Sequence, residues 1–502
     1  GHGPGRRQSA GSPARARARP RMRTALDIRP IAADFLPGSP VATYRGNFIG
    51  LDAGPLDLRA ILWEYSAMKY NRTIATACLA ALFSMALLPS PARAGNWPQW
   101  RGPNFNGSAA DDEKNLPVDF GPERNVVWSV DAPGAGANTP IVWGGRVFLT
   151  AMDASGEGTT AYCLDAADGK TLWKLPLGEK GFSNRMGNTA ATPSAMTDGR
   201  KVIFQAGTGE LMACDMDGKQ IWKRNIQDAH GKFEVLWQYG ANSLLYKGRL
   251  YVPVLHGPTN EGAGDASYIL CVDPNTGKDI WKHKRPSDAV RESKQAYSTP
   301  IPYEGPGGPM ILISGGDYVT AHDPQTGREL WRSPTYNPRP ETSWRLVVSP
   351  CVLDGAALVC APKGGQMFAV AADSKGQVKP EGELWNTKEF SPDVCTPLAY
   401  KGRFYVLDGR RRQMACIEPR TGKVIWSSDL PASTLQASPT GADGKIYCIS
   451  LTGDVLVIEA GEKFNLLGKT KFPGSGCRST ISVSGGRLFI RADKKIYCIG
   501  AK

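Results

Sequence analysis

The sequence predicts an all-β fold: an eight-bladed β-propeller of four-stranded antiparallel blades, the last blade closed by the N-terminal strand around Trp128. Three observations predict it. Gly and Pro are frequent, 57 and 38 of 502 residues, which favours many short elements joined by turns over long helices. A hairpin phrase ending in Trp recurs along the chain at intervals of about 40–60 residues. The two ends of the repeat array are complementary: three strands without a fourth at the C-terminus, and a fourth without the other three around Trp128.

Taken in chain order, residues 1–67 are an Arg-rich leader in which Arg15, Arg17, Arg19, Arg21 and Arg23 alternate with Ala, Pro and Met. Such a segment lacks the apolar residues to fold. Residues 68–94 have the layout of a signal peptide: Met68, Lys69 and Arg72, an apolar run from Ile74 to Leu88, then Ala92-Arg93-Ala94. The run is shorter than the roughly 20 residues of a bilayer span, so it predicts export rather than a membrane helix. The net charge of +13 is concentrated here, because residues 1–94 hold 13 Lys/Arg against 5 Asp/Glu. The near balance of charge in residues 95–502 argues against a nucleic-acid partner. The expectation is a periplasmic or extracellular chain, read as a monomer without a membrane span. Residues 95–125 form an N-terminal extension, and 126–502 the propeller.

The repeat phrase reads Asp165-Ala-Ala-Asp-Gly169-Lys-Thr-Leu-Trp173 and returns ending at Trp281, Trp331 and Trp426, shortened at Trp222, and weaker at Trp385 and Phe464. Asp bonds backbone N–H groups two residues on, and Gly supplies the left-handed turn residue. Gly169, Gly218, Gly277, Gly327 and Gly422 fill that place. With Trp128, seven of the thirteen tryptophans occupy this one position, which assigns them to structure. Each interval opens on Thr-Pro or Ser-Pro, as at Thr139, Thr192, Thr299, Ser349, Thr396 and Ser438, with Ser243 and Ser479 where the Pro is missing. Cys163, Cys214, Cys271, Cys416 and Cys498 share one strand position, where a small apolar side chain suits a packed sheet. Export permits disulfides, and the local candidate pair is Cys351 with Cys360 across the turn at Asp354-Gly355.

The hairpin D-x-x-T-G-K-x-x-W, spread over eight units, resembles the pyrroloquinoline-quinone-like (PQQ-like) propeller family, and Trp97-Pro-Gln-Trp-Arg-Gly-Pro103 looks like the start of many exported bacterial members. The resemblance implies one of two kinds of protein. Quinoprotein dehydrogenases hold the quinone and calcium over the channel, with a vicinal Cys-Cys ring, a Trp floor, a Glu/Asn/Asp ion set and an Asp base. Scaffold members include an outer-membrane assembly lipoprotein. No Cys-Cys dipeptide occurs here.

The segments entering the innermost strands offer Arg185, Trp237, Tyr239, Lys294, Tyr297, Trp344, Arg345, Asp393, Gln436 and Arg478 as candidate ligand-binding residues. Asp393 is the acid of the set; Glu234, Glu292 and Glu341 lie farther from the strand starts. A set leaning cationic and aromatic is poor for calcium and suits a glycan, an anion or an acidic protein surface. The four His after residue 94 lack metal-ligand spacing, and no G-x-S-x-G, Walker or H-E-x-x-H motif occurs. The reading is therefore a non-catalytic exported scaffold without cofactor or metal, binding a protein or glycan at the channel mouth. The alternatives are a PQQ- and calcium-dependent alcohol or sugar dehydrogenase with a degenerate site, and an outer-membrane protein assembly scaffold.

Overall fold

The computed structural model describes Gly1 and residues 95–178, 187–258, 266–337 and 341–500. The leader, the signal-like segment and Arg185 lie outside the described residues. Eight sheets make up the array, each built on four antiparallel strands, which in the first seven lie side by side in sequence order. Blade 1 comprises Ile141–Trp143, Arg146–Met152, Thr159–Asp165 and Thr171–Gly178. Blades 2 to 7 begin at Met196, Leu244, Ile301, Cys351, Leu398 and Thr440. Blade 8 is built from Ser482–Ser484, Arg487–Ala492 and Lys495–Ile499, and its outermost strand is Val126–Asp131, with Trp128 opposite Cys498. The ring closes as the sequence predicts, so no blade is left without a neighbour on either side.

Burial grades from the axis outward. Second strands such as Lys201–Gln205 are buried along their whole length, while outermost strands such as Leu466–Lys471 expose every second residue. That gradient follows from packing each sheet between two others except at its outer edge.

The repeated Trp and Gly form the seams. Each of the seven indole N–H groups donates to a carbonyl in the turn of the next blade, at 2.8–3.3 Å, as Trp128 does to Ala166, Trp222 to Pro274, Trp331 to Ala372 and Trp385 to Pro419. Gly169, Gly218, Gly277, Gly327 and Gly422 all have φ between 70° and 89°. Beyond the turn, they make room for the ring: a Cβ on Gly277 would lie 2.7 Å from Trp222, and one on Gly422 2.5 Å from Trp385. Four of the repeated cysteines, Cys163, Cys271, Cys416 and Cys498, stand opposite a Trp across the strand pair. Cys214 directly precedes its turn Asp instead of standing two before it, so Ala213 takes that place opposite Trp222.

Blade 7 breaks the pattern differently from the sequence reading. Phe464 is not in the Trp slot; Gly468 is, opposite Val457. Phe464 instead packs edge-on against Trp426. The space left by Gly468 is taken by the N-terminal extension: a Cβ there would lie 2.7 Å from the Val118 carbonyl, and Phe120 packs on Tyr447 and Phe472. In blade 5 the loop before Glu383–Thr387 lengthens, and Gly376–Gln377 pairs in parallel with Trp331 and Arg332 as a fifth strand on blade 4.

The Cys351–Cys360 pair is not bridged. Cys351 pairs across the hairpin with Leu358, which leaves Cys360 one pleat farther along. All ten cysteines of the described residues are free and buried.

Candidate functional site

The innermost strands surround a central cavity of about 330 Å³. One end is floored by the N-terminal extension. Trp97 bridges to Val142 in blade 1, and Gln99 exchanges hydrogen bonds with the Leu245 backbone in blade 3 at 3.3 and 3.2 Å. Arg101 donates to Pro397 and Pro439 carbonyls ahead of blades 6 and 7, and Glu113 accepts from Gly485 and Gly486 in blade 8, both at 2.8 Å. Trp100, carried between these anchors, lines the cavity. Arg101 is buried, and burial lowers its pKa to about 10.

A polar collar forms the wall. The backbone N–H of Thr139 donates to Ser194 Oγ, Ser194 N to Asn242 Oδ1, and Asn242 N to Thr299 Oγ1. The relay continues from Thr299 N to Ser349, Ser349 N to Thr396 and Thr396 N to Ser438, at 2.8–3.1 Å. The recurrent hydroxyl before each first strand thus satisfies the N–H of the preceding blade, a role the sequence reading did not assign. Strand starts also shift three members: Ser194, Asn242 and Thr480 stand two residues before their strands, where Thr192, Ser243 and Ser479 were expected.

At the open end, loops between blades bring Trp237, Tyr297, Arg345, Gln436 and Arg478 to the cavity, with Asn188. Trp237 donates its indole N–H to Glu292 Oε1 at 2.6 Å. Arg345 lies between two carboxylates, Nε 3.4 Å from Glu292 and Nη2 3.6 Å from Asp393. Asp393 also accepts the Lys363 N–H at 3.2 Å. Asn188 donates to the Trp237 carbonyl, the Trp237 N–H donates to Tyr297 Oη, and Arg478 Nε donates to Gln436 Oε1 at 2.9 Å. Burial pushes the Tyr297 phenol up, so it stays protonated.

Three non-glycine residues in the left-handed region flank this network: Gln238 beside Trp237 (φ 71°), Arg291 beside Glu292 (φ 50°), and Lys363 (φ 60°). Backbone held in that region costs energy and gathers at functional loops.

Other sequence candidates lie elsewhere. Tyr239 is buried, stacked on Phe233 at 4.7 Å, and donates to the Pro253 carbonyl. Lys294 is buried and reaches the Pro258 carbonyl; Trp344 is buried and reaches Thr335. Sequence reasoning left Trp100 out and set Glu292 aside as too far from its strand start. Glu292 reaches the mouth because Arg291–Lys294 winds into a one-turn 3-10 helix, for which the sequence carries no cap or periodic signal. With Glu292 present, the mouth holds two guanidiniums and two carboxylates among the described residues, rather than a cationic excess.

The fold and site define a propeller with a polar, one-ended channel. The chain matches the family described as outer membrane protein assembly factor BamB over residues 123–252, 160–394 and 377–463, and it belongs to that PQQ-like propeller family. A polyvinylalcohol dehydrogenase of Pseudomonas sp is 25% identical over 169 residues; the match spans 32% of this chain and a quarter of that protein's length. Among solved structures, a europium-containing methanol dehydrogenase superposes with TM-score 0.58 at 12% identity, covering 81% of this chain and 90% of its own. BamB from Moraxella catarrhalis superposes with TM-score 0.52 at 15% identity, covering 74% and 97%. At these identities the superpositions establish the fold alone. Among the described residues no helix is long and apolar enough to cross a membrane.

Proposed function

We propose that this chain is an exported, non-catalytic binding propeller that takes a sugar-like ligand at the channel mouth. The observation that carries the reading is the pairing of Glu292 and Asp393 on the single guanidinium of Arg345. Calcium takes six to eight oxygen ligands, several of them carboxylates free to bind it. Here an ion between the two acids would face Arg345, and among the described residues no three His, Cys, Asp or Glu side chains converge. The residues present therefore do not fit the quinone–calcium pair of the dehydrogenases, nor the europium of the methanol dehydrogenase. They fit a neutral, hydroxyl-rich ligand: an indole at Trp237, a phenol at Tyr297, amides at Asn188 and Gln436, acceptor carboxylates at Glu292 and Asp393, and the guanidinium of Arg478.

The test is calorimetric titration with a uronic-acid oligosaccharide and its neutral counterpart, beside titration with the quinone plus calcium or a lanthanide. Binding of the neutral sugar at least as tight as of the acidic one, weakened about tenfold or more in Trp237→Ala, supports the reading. Stoichiometric retention of the quinone with dye reduction by alcohols overturns it. The family's description favours a second reading, an outer-membrane assembly scaffold in the periplasm, which predicts co-purification with a β-barrel assembly complex.

A further inference from the structure

The outer rim carries a second pattern, distant from the channel. The residue before each seam Trp is aliphatic: Leu172, Ile221, Ile280, Leu330, Leu384, Ile425 and Val127, with Leu467 before Gly468. Four of these are exposed, Leu172 by 49%, Ile221 by 46%, Ile280 by 44% and Leu467 by 36%. In those four blades, and in no other, the residue two positions on is Lys: Lys174, Lys223, Lys282 and Lys469, all exposed. Elsewhere it is Arg332, Asn386, Ser427 or Ser129. Residues two apart on a strand share a face, so these outer strands present aliphatic–lysine pairs. Blades 1, 2 and 3 place three such edges side by side.

Blade 4 shows how such an edge is covered. Its outer strand, Glu329–Pro334, takes Gly376–Gln377 as a parallel fifth strand, with Gly376 opposite Trp331. The Val378 N–H donates to the Arg332 carbonyl at 2.8 Å, and Val378 packs with Leu330 in the apolar core. By register, Lys174, Lys223 and Lys282 present the matching carbonyls on blades 1 to 3. Lys223 Nζ reaches the Pro176 carbonyl at 3.3 Å and Lys282 Nζ lies 4.0 Å from the Tyr268 ring centroid. Both remain on the exposed face.

We propose that the outer edges of blades 1 to 3 dock an extended segment of a partner polypeptide, added as a fifth strand, in which Asp or Glu alternates with aliphatic residues. The outer-edge backbone calls for a strand, as the equivalent edge of blade 4 takes one, the exposed Leu and Ile call for aliphatic partners, and the Lys row for acids. An anionic lipid surface would meet the lysines and leave the backbone comb unfilled.

The experiment uses the full chain and an acetylated, amidated peptide of alternating Glu and Val with one central Gly. Binding is read by calorimetry, and its place by hydrogen–deuterium exchange. The expected result is saturable binding that weakens about tenfold between about 50 and 500 mM salt, since the charges are exposed. It protects amides within Thr171–Gly178, Gln220–Asn225 or Asp279–Lys284. Lys174→Glu, Lys223→Glu and Lys282→Glu combined abolish it, and restore it for a Lys/Val peptide. The proposal is overturned by no binding, by protection at other sites, by equal affinity in the triple variant, by equal lysine-dependent binding to anionic vesicles, or by self-association through these edges.

Discussion

Replacing Gly422 by Ala separates the two roles of the seam glycine. Gly402 and Gly422 both belong to blade 6 and have nearly the same φ, 72° and 71°. A Cβ on Gly402 meets nothing within 4 Å, whereas one on Gly422 lies 2.5–2.8 Å from three atoms of the Trp385 indole. Gly402→Ala therefore carries only the left-handed backbone term, about 1–2 kcal/mol. Gly422→Ala adds displacement of Trp385 from its rotamer, about 1 kcal/mol, and loss of its 2.8 Å hydrogen bond to Pro419, about 1 kcal/mol. The expected destabilisation is about 3–4 kcal/mol for Gly422→Ala against about 1–2 for Gly402→Ala. Paired denaturant titrations measure the difference, and hydrogen exchange places it at the seam between blades 5 and 6. Equal destabilisation by the two substitutions refutes the seam argument.

Asp317 gives a pH prediction. Burial raises its pKa to about 6, and its Oδ1 has no hydrogen-bond partner among the described residues. The unfolded carboxyl ionises near its ordinary value, so the group lowers stability as pH rises from about 4 to about 6 and keeps it lowered above. Asp317→Asn should raise the unfolding free energy at pH 8, by at most about 3 kcal/mol, and leave it unchanged at pH 4. Thiol titration with an aromatic disulfide should find the ten described cysteines unreactive in the native protein and reactive in denaturant, because burial raises the pKa of Cys351 and Cys395 to about 12. Glu113→Ala should leave the blades intact but speed exchange of residues 95–101, since it removes the two hydrogen bonds that pin the channel floor to blade 8.

The blades and their closure were legible because their causes are local and repeated: a turn Gly, a Trp at a fixed place on each outer strand, and a hydroxyl ahead of each first strand. The illegible parts depend on register or on distant chain. Phe464 looked like the missing Trp because it is the nearest aromatic, yet it lies in a turn one residue longer than that of blade 6, the strand starts at Leu466 with Gly468 in the slot, and Phe120 from far upstream packs against Tyr447 of the same blade. At the mouth, Trp237, Tyr297, Arg345, Gln436 and Arg478 were found by their position before a first strand. Tyr239 and Trp344 satisfied the same criterion but turn inward, because loop direction is set by packing rather than by distance along the sequence. Glu292 failed the criterion and entered through a single helical turn. Trp100 could not have been assigned to the cavity without knowing that its segment crosses the channel.

The pairing of Val126–Asp131 with Lys495–Ile499 also bears on how the chain is made. The strand that finishes the ring precedes in sequence every strand of the blade it completes. It stays an unpaired ribbon carrying Trp128 until the last three strands of the chain are in place. Moving residues 126–131 to the C-terminus by circular permutation would let blade 8 form as one continuous meander, exchanging the strand pairing of greatest sequence separation for a local hairpin.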